Sequence, residues 1–188
     1  MLKTALRFSH DLLEEIVISG DVVVDATMGN GNDTLFLAQL VEKTGHVYSF
    51  DVQEQAVINT TKRLKENSCE EQVTLLLQGH ETVGNIIEKT QTIRAAIFNL
   101  GYLPKSDKTV TTHEKTTLKA LRELLIRLEK KGRIILVIYD GHDEGKTEKT
   151  AVLDFVANLP QEQFSVLNYQ FINQRNNPPS LICIEKKG

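Results

Sequence analysis

Val22-Val23-Val24-Asp25-Ala26-Thr27-Met28-Gly29-Asn30-Gly31-Asn32-Asp33-Thr34 runs from an apolar strand through a glycine-rich turn into the polar opening of a helix. A second apolar run, His46-Val47-Tyr48-Ser49-Phe50, ends in Asp51. A strand, a glycine turn, a helix start and a second strand closed by an acid are the parts from which open α/β sheets build a nucleotide site. The glycines let backbone approach a ligand closely, the helix start offers N–H groups, and a carboxylate can grip both hydroxyls of a ribose.

The details choose among nucleotides. Gly29 and Gly31 fit Gly-x-Gly, but Thr34 stands where the dinucleotide fingerprint has its third glycine, which disfavours a nicotinamide cofactor. Asp25, just before the turn, fits the acid of S-adenosylmethionine motifs, where it interacts, often through water, with the methionine amino group. Asp51 lies close to the ~20-residue spacing of a ribose-binding acid. A helix N-cap is its plainer reading, and the geometry allows both. With Asp25 and Asp51, the cofactor set comprises Thr27, Met28, Gly29, Asn30, Gly31, Asn32 and, with weaker support, Gln53. His80 and Glu81, in Gln78-Gly79-His80-Glu81 after the third strand, are placed near the adenine; an exposed loop histidine is the alternative for His80.

Outward from this stretch, apolar runs alternate with amphipathic segments. Strands are expected at 22–26, 47–50, 73–77, 95–99 and 133–139, and helices at 34–42, 55–65, 82–88, 114–128 and 147–159, the rhythm of a parallel α/β sheet. Runs at 164–171 and 181–185 flank Asn173-Gln174-Arg175-Asn176-Asn177-Pro178-Pro179-Ser180, whose turn formers predict an antiparallel hairpin. Five parallel units closed by a hairpin describe a Rossmann-like, seven-stranded class I methyltransferase sheet rather than the dinucleotide fold, which ends in a sixth parallel strand. Leu2, Leu6, Leu12, Leu13, Ile16 and Val17 recur at helical spacing, predicting an N-terminal amphipathic helix against the sheet. Residues 1–188 read as one domain: an N-terminal helix at 1–19, an alternating core at 20–160 and the terminal hairpin at 161–188.

Composition agrees. With 188 residues and 40% hydrophobic content, such a chain can bury a core without disulfides or metals. A formal charge of −3 and a pI near 6.0 leave any nucleic-acid partner to local basic patches. Cys69 and Cys183 are far apart and show no metal-ligand spacing, which suits a reducing cytosol and argues against structural zinc; no metal site is expected. Arg7, His10, Asp11, Glu14 and Glu15 interrupt the first apolar residues and spoil a signal-peptide or membrane-spanning reading. The expected location is the cytoplasm, without membrane partners; a homodimer stays open.

Substrate candidates cluster after the fourth and fifth strands. Asn99-Leu100-Gly101-Tyr102-Leu103-Pro104 occupies the place where amino-methylating enzymes carry Asn/Asp-Pro-Pro-Tyr/Phe. An amide or carbonyl there holds amine hydrogens and aims the lone pair, while an aromatic face holds the base. Asn99 and Tyr102 are therefore the catalytic candidates, with a simple turn as the alternative. Residues 101–113 form the longest irregular stretch, and loops of that length are usually functional or mobile. Lys105, Ser106, Asp107, Lys108, Thr111 and Thr112, followed by Lys115, Thr116, Lys119 and Arg122, make a hydroxyl-rich basic patch suited to phosphate, or a solvated helix face. His142, after the fifth strand, could face the substrate, and Asn173, Arg175, Asn176 and Asn177 offer hydrogen bonds to phosphate or base. The order Asn177-Pro178-Pro179 copies the amino-methylating motif in text but lies between the last two strands, so it reads as a hairpin feature.

Asp-Ala-Thr-Met-Gly-Asn-Gly-Asn-Asp-Thr, Phe-Asp-Val-Gln, Gln-Gly-His-Glu, Phe-Asn-Leu-Gly-Tyr-Leu-Pro, Tyr-x-Gly-His and the ending Asn-Gln-Arg-Asn-Asn-Pro-Pro, in that order, resemble the small bacterial methyltransferases of the MnmM type, long labelled rRNA methylases. The resemblance covers essentially the whole chain. It implies methyl transfer from S-adenosylmethionine to the primary amine of a 5-aminomethyl group on the wobble 2-thiouridine of certain tRNAs, with the anticodon region as partner. It also implies that Asp25, Asn30, Asn32, Asp51, Gln53 and His80 are cofactor positions and that Asn99 and Tyr102 lie on the substrate side. Asp107, Lys108, Thr111, His142 and the Arg175–Pro179 loop, Asn177 included, are further substrate positions. Tyr139-Asp140-Gly141-His142-Asp143-Glu144-Gly145 departs from the family pattern, which carries a proline and more glycine there. The competing readings are a methyltransferase for ribosomal RNA or a small metabolite, a nicotinamide-dependent oxidoreductase, and a non-catalytic RNA-binding module.

Overall fold

The computed structural model describes residues 1–101, 112–141, 143–175 and 177–188. In chain order the elements are α1 (Ala5–Glu14), β1 (Val22–Asp25), α2 (Asn32–Val41), β2 (His46–Asp51), α3 (Glu54–Glu66), β3 (Val73–Leu77), a 3-10 turn (His80–Thr82), α4 (Val83–Ile86), β4 (Ile93–Leu100), α5 (Glu114–Arg127), β5 (Leu128–Ile138), α6 (Asp143–Ala157), β6 (Phe164–Tyr169) and β7 (Ser180–Lys186).

They build a seven-stranded sheet in the order β3-β2-β1-β4-β5-β7-β6. The first five strands are mutually parallel, while β7 runs antiparallel to both β5 and β6. This is the class I methyltransferase sheet expected from the sequence. The last strand of the chain inserts between β5 and β6, leaving β6 at the edge.

Each central strand is apolar on both faces, as a parallel sheet covered on both sides requires. Val23, Ala95, Ile97, Ile135 and Val137 pack with Leu13, Leu37 and Leu64 of α1, α2 and α3. Their chain neighbours Val24, Ala96, Phe98, Ile134, Leu136 and Ile138 pack with Leu121, Leu124 and Val152 on the opposite side, where α4, α5 and α6 lie. Period-2 alternation thus puts half of each run into one core and half into the other.

Three local expectations change. The buried stripe of α1 passes through Ala5, Ser9, Leu12 and Leu13, whereas Leu2 and Leu6 are exposed. Leu2 precedes the Thr4 N-cap, so helical spacing never applied to it. The helix predicted at 82–88 is a 3-10 turn followed by the short α4. β5 starts at Leu128 rather than 133, because Leu128 pairs with Ile93 before a register shift and a left-handed Lys131 (φ 63) restore regular pairing at Arg133.

The turn between β1 and α2 depends on glycine. Gly29 (φ 53) and Gly31 (φ 73) are left-handed, and a Cβ at Gly31 would lie 2.6 Å from Thr60 Oγ1 and 2.9 Å from Thr60 Cβ. Overpacking of this kind costs about 1–3 kcal/mol. Gly31→Ala is therefore expected to lower the Tm by roughly 2–10 °C in a thermal melt; an unchanged Tm would show that α3 yields without cost.

Candidate active site

The C-terminal ends of β1, β2, β3 and β4 lie side by side, and the proposed cofactor residues gather on that rim. Asp25 closes β1 and is wholly buried. Its Oδ1 accepts the Thr27 N–H at 3.1 Å and its Oδ2 accepts the Thr34 hydroxyl at 2.6 Å. The Thr34 hydroxyl also lies 2.8 Å from Ser49 Oγ on β2. The position that lacks the third glycine thus carries a hydroxyl that the turn uses. Asp25 lies beneath the turn as its internal brace.

Burial pushes the Asp25 carboxyl up to about 7 from an ordinary 3.8; nearby Asp33 adds to the rise and the Thr34 and Thr27 bonds oppose it. Folding therefore takes up a proton between those values. The favourable contribution of Asp25 to stability is complete below about 3.8 and is lost as the pH rises through about 7. The isosteric Asp25→Asn stays neutral throughout, so thermal melts of the cofactor-free protein should show a flatter decline over that window. An identical slope would remove Asp25 as the titrating group.

Asp51 stands between two chain segments. Its Oδ2 accepts the Gly29 N–H at 2.9 Å and its Oδ1 accepts the Gln53 N–H at 2.9 Å. Each carboxylate oxygen has two lone pairs, so one on each is left for the two hydroxyls of a ribose. The same carboxylate thus serves the start of α3 and keeps the capacity a nucleotide needs, and this half-buried acid beside a left-handed glycine turn fits an adenosyl cofactor.

At the end of β4, the Asn99 N–H donates to Thr27 Oγ1 at 2.7 Å and Asn99 Nδ2 donates to Asp33 Oδ2 at 2.6 Å. His10 Nε2 lies 2.7 Å from Asp33 Oδ1. Just past the end of β4, Gly101 and Thr112 exchange bonds: the Gly101 N–H reaches Thr112 Oγ1 and the Thr112 N–H reaches Gly101 O, both at 3.0 Å. The hydroxyls of Thr112 and Thr117 donate to the two oxygens of buried Glu148 at 2.6 Å each. Burial raises the Glu148 pKa, and those two bonds restrain the rise.

Residues 47–185 match the protein-family model described as "Putative rRNA methylase". The chain belongs to this family. This methyltransferase is 35% identical over 196 residues to the chloroplastic "tRNA (mnm(5)s(2)U34)-methyltransferase" of Arabidopsis thaliana, across 98% of its own chain and 70% of that protein. The solved "putative rRNA-methylase" of Clostridium thermocellum superposes with a TM-score of 0.96 at 45% identity, covering 99% of both chains. A "putative methyltransferase" of Streptococcus mutans, solved in complex with S-adenosylhomocysteine, gives a TM-score of 0.90 at 46% identity, again over 99% of each chain. The protein is an S-adenosylmethionine-dependent methyltransferase.

The fold brings most of the expected cofactor residues of this methyltransferase to one rim, in different roles. Thr27, Gly29, Gly31, Asp51, Gln53 and Glu81 are at the turn or at adjoining strand ends. Met28 is buried, and its N–H donates to Phe50 O at 2.8 Å. The Asn30 side chain turns to α3, accepting from Asn59 Nδ2 at 2.9 Å, and Asn32 opens α2 in solvent. His80 is not an exposed loop residue: it is buried, its Nδ1 lies 3.0 Å from Ala26 O, and its ring meets Phe98 edge-on. Burial lowers its pKa and favours a neutral imidazole.

On the substrate side, Arg175 and Asn177 are exposed in the β6–β7 connection. Tyr102, Asp107, Lys108, Thr111 and His142 lie outside the described residues. Lys115, Lys119 and Arg122 occupy the outer face of α5, and Arg122 covers the Phe155 ring at 5.3 Å. Among the described residues, no helix is long and apolar enough to cross a membrane.

Sequence reasoning missed Asp33, His10, Glu148 and Tyr139. Tyr139 directly follows β5, packs beside Gly101 and is partly exposed on the same rim. Burial raises its hydroxyl pKa, and Asp33 adds to the rise. Asp33 stood inside the quoted turn, but an acid in the first turn of a helix reads as a dipole partner. Its bonds to Asn99 and His10 span 66 and 23 positions, a pairing that no local pattern announces.

Proposed function

We propose that this methyltransferase, acting in the cytoplasm as one domain over residues 1–188, methylates the primary amine of a 5-aminomethyl group on the wobble 2-thiouridine of tRNA. The observation that carries the reading is Asn99, an amide at the end of β4 fastened to the cofactor turn through Thr27 and to α2 through Asp33. The substrate class is supported by the similarity to the Arabidopsis thaliana tRNA methyltransferase.

S-adenosylmethionine supplies an electrophilic methyl group. Asp51 would hold the ribose, and the backbone of the Gly29–Gly31 turn would lie against the rest of the cofactor. Asn99 Oδ1 would accept an N–H of the amine and so aim its lone pair along the transfer line. A neutral alkyl amine is already a strong nucleophile, and a neighbouring positive charge lowers its pKa, so this chemistry needs no dedicated strong base. Tyr139, with Tyr102, would offer aromatic surface to the base. Arg175 and Asn177 would meet phosphate or base edges, with Asp107, Lys108, Thr111 and His142 as further contacts.

The test is labelled methyl transfer to bulk tRNA from cells lacking the gene, followed by nucleoside mass spectrometry. Label in a wobble 5-methylaminomethyl-2-thiouridine supports the proposal. Label found in ribosomal RNA and not in tRNA would replace it with the rRNA reading.

A further inference from the structure

An asparagine amide presents two ends of nearly equal shape and opposite polarity. The reaction distinguishes them, because an amine needs an acceptor for its N–H while its lone pair stays free to attack. A flipped amide would aim N–H groups at that same lone pair and compete with the methyl group for it.

We propose that Asp33 is a positioning residue that fixes the polarity of Asn99, turning its carbonyl oxygen to the substrate and biasing the site towards nucleophiles that present an N–H. The proposal rests on the reading that Asn99 meets the reacting amine. A carboxylate only accepts hydrogen bonds, so the Asn99 atom 2.6 Å from Asp33 Oδ2 is the amide nitrogen. Oδ1 is then the end turned away from Asp33.

Asp33 is itself held from both sides. It sits in the first turn of α2, only 7% exposed. Its other oxygen lies 2.7 Å from His10 Nε2, and the His10 ring stacks on Phe36 with centroids 4.0 Å apart and planes 8° from parallel. The Asn99 backbone is pinned independently by Thr27 Oγ1 at 2.7 Å. Main chain and side chain of Asn99 are thus fastened to two different segments, the cofactor turn through Thr27 and α2 through Asp33, and among the described residues it is Asp33 that sets which end of the amide faces outward.

A double-mutant cycle separates this role from simple structural support. Asp33→Asn preserves shape but lets residue 33 either donate or accept, so Asn99 can pair with it in both orientations. On tRNA from cells lacking the gene, Asp33→Asn should lower kcat at least about tenfold, leave the S-adenosylhomocysteine Kd within about twofold, and add less than about twofold to the loss already caused by Asn99→Ala.

Losses that multiply across the two sites would overturn the inference, as would a kcat loss matched by an equal loss of cofactor affinity. A slow Asn99→Ala beside a normal Asp33→Asn would sink the Asp33 role and leave the Asn99 reading standing. A normal Asn99→Ala would remove that reading and the inference with it. Should Asp33→Asn fail to show an S-adenosylhomocysteine-induced melting shift, Asp33→Ser runs the same cycle.

Discussion

Asn99→Ala is expected to lower kcat on amine-bearing tRNA about a hundredfold while leaving the Kd for S-adenosylhomocysteine within about twofold. The asymmetry follows from what each part of Asn99 touches. Its main-chain N–H, which the substitution keeps, ties β4 to Thr27 of the cofactor turn. Its side chain, which the substitution removes, binds Asp33 and would reach the amine. An interaction that aligns the reacting atoms contributes to turnover rather than to cofactor affinity, and small misplacements at the reacting centre are costly. Single-turnover rates with isothermal titration of the product cofactor read the two quantities separately. A loss confined to cofactor binding would move Asn99 from the substrate side to the cradle.

Asp51→Ala should do the reverse, weakening S-adenosylhomocysteine binding by at least about a hundredfold, since hydrogen bonds to a charged group contribute about 1.5–3 kcal/mol each and two ribose hydroxyls are involved. The substitution also leaves the N–H groups of Gly29 and Gln53 without their carboxylate, loosening the turn proposed to face the cofactor. Asp51→Asn is expected to be nearly as damaging, because one end of an amide would set a donor against one of those donors. Titration calorimetry on cofactor-stripped protein measures both variants. Wild-type affinity in Asp51→Ala would reduce this residue to a helix cap and take the ribose assignment away.

Much of this architecture was legible in the residues. β3 was placed at its observed bounds, β1, β2 and β4 were located to within two residues, and the paired runs near the C-terminus formed the expected hairpin. Alternation and turn chemistry encode such features locally. The boundaries that moved were those where pairing outvoted propensity. Leu128 joined β5 because Ile93 was waiting beside it, and the segment after Gly79 formed a 3-10 turn and a four-residue helix.

The frame of the candidate site was legible as well. Gly29 and Gly31 take the left-handed backbone that a tight turn needs, and Asp51 ends β2 where an apolar run closes on an acid; their contact with a cofactor belongs to the proposal. Glu148 carried no comparable signal. It is one acid among many on an amphipathic helix until α6 packs against α5 and the hydroxyls of Thr112 and Thr117 close on it.

The linear order of residues settled the layered α/β class, the glycine turn and the acid that ends β2, because backbone conformation and hydrophobic period are properties of neighbouring residues. Folding alone decided that Asp25 is buried as a brace, that His80 lies inside the protein, and that Asp33 bridges His10 and Asn99. Burial and side-chain partnership are set by segments dozens of positions apart, and they take a definite value only when the sheet brings those segments within hydrogen-bonding distance.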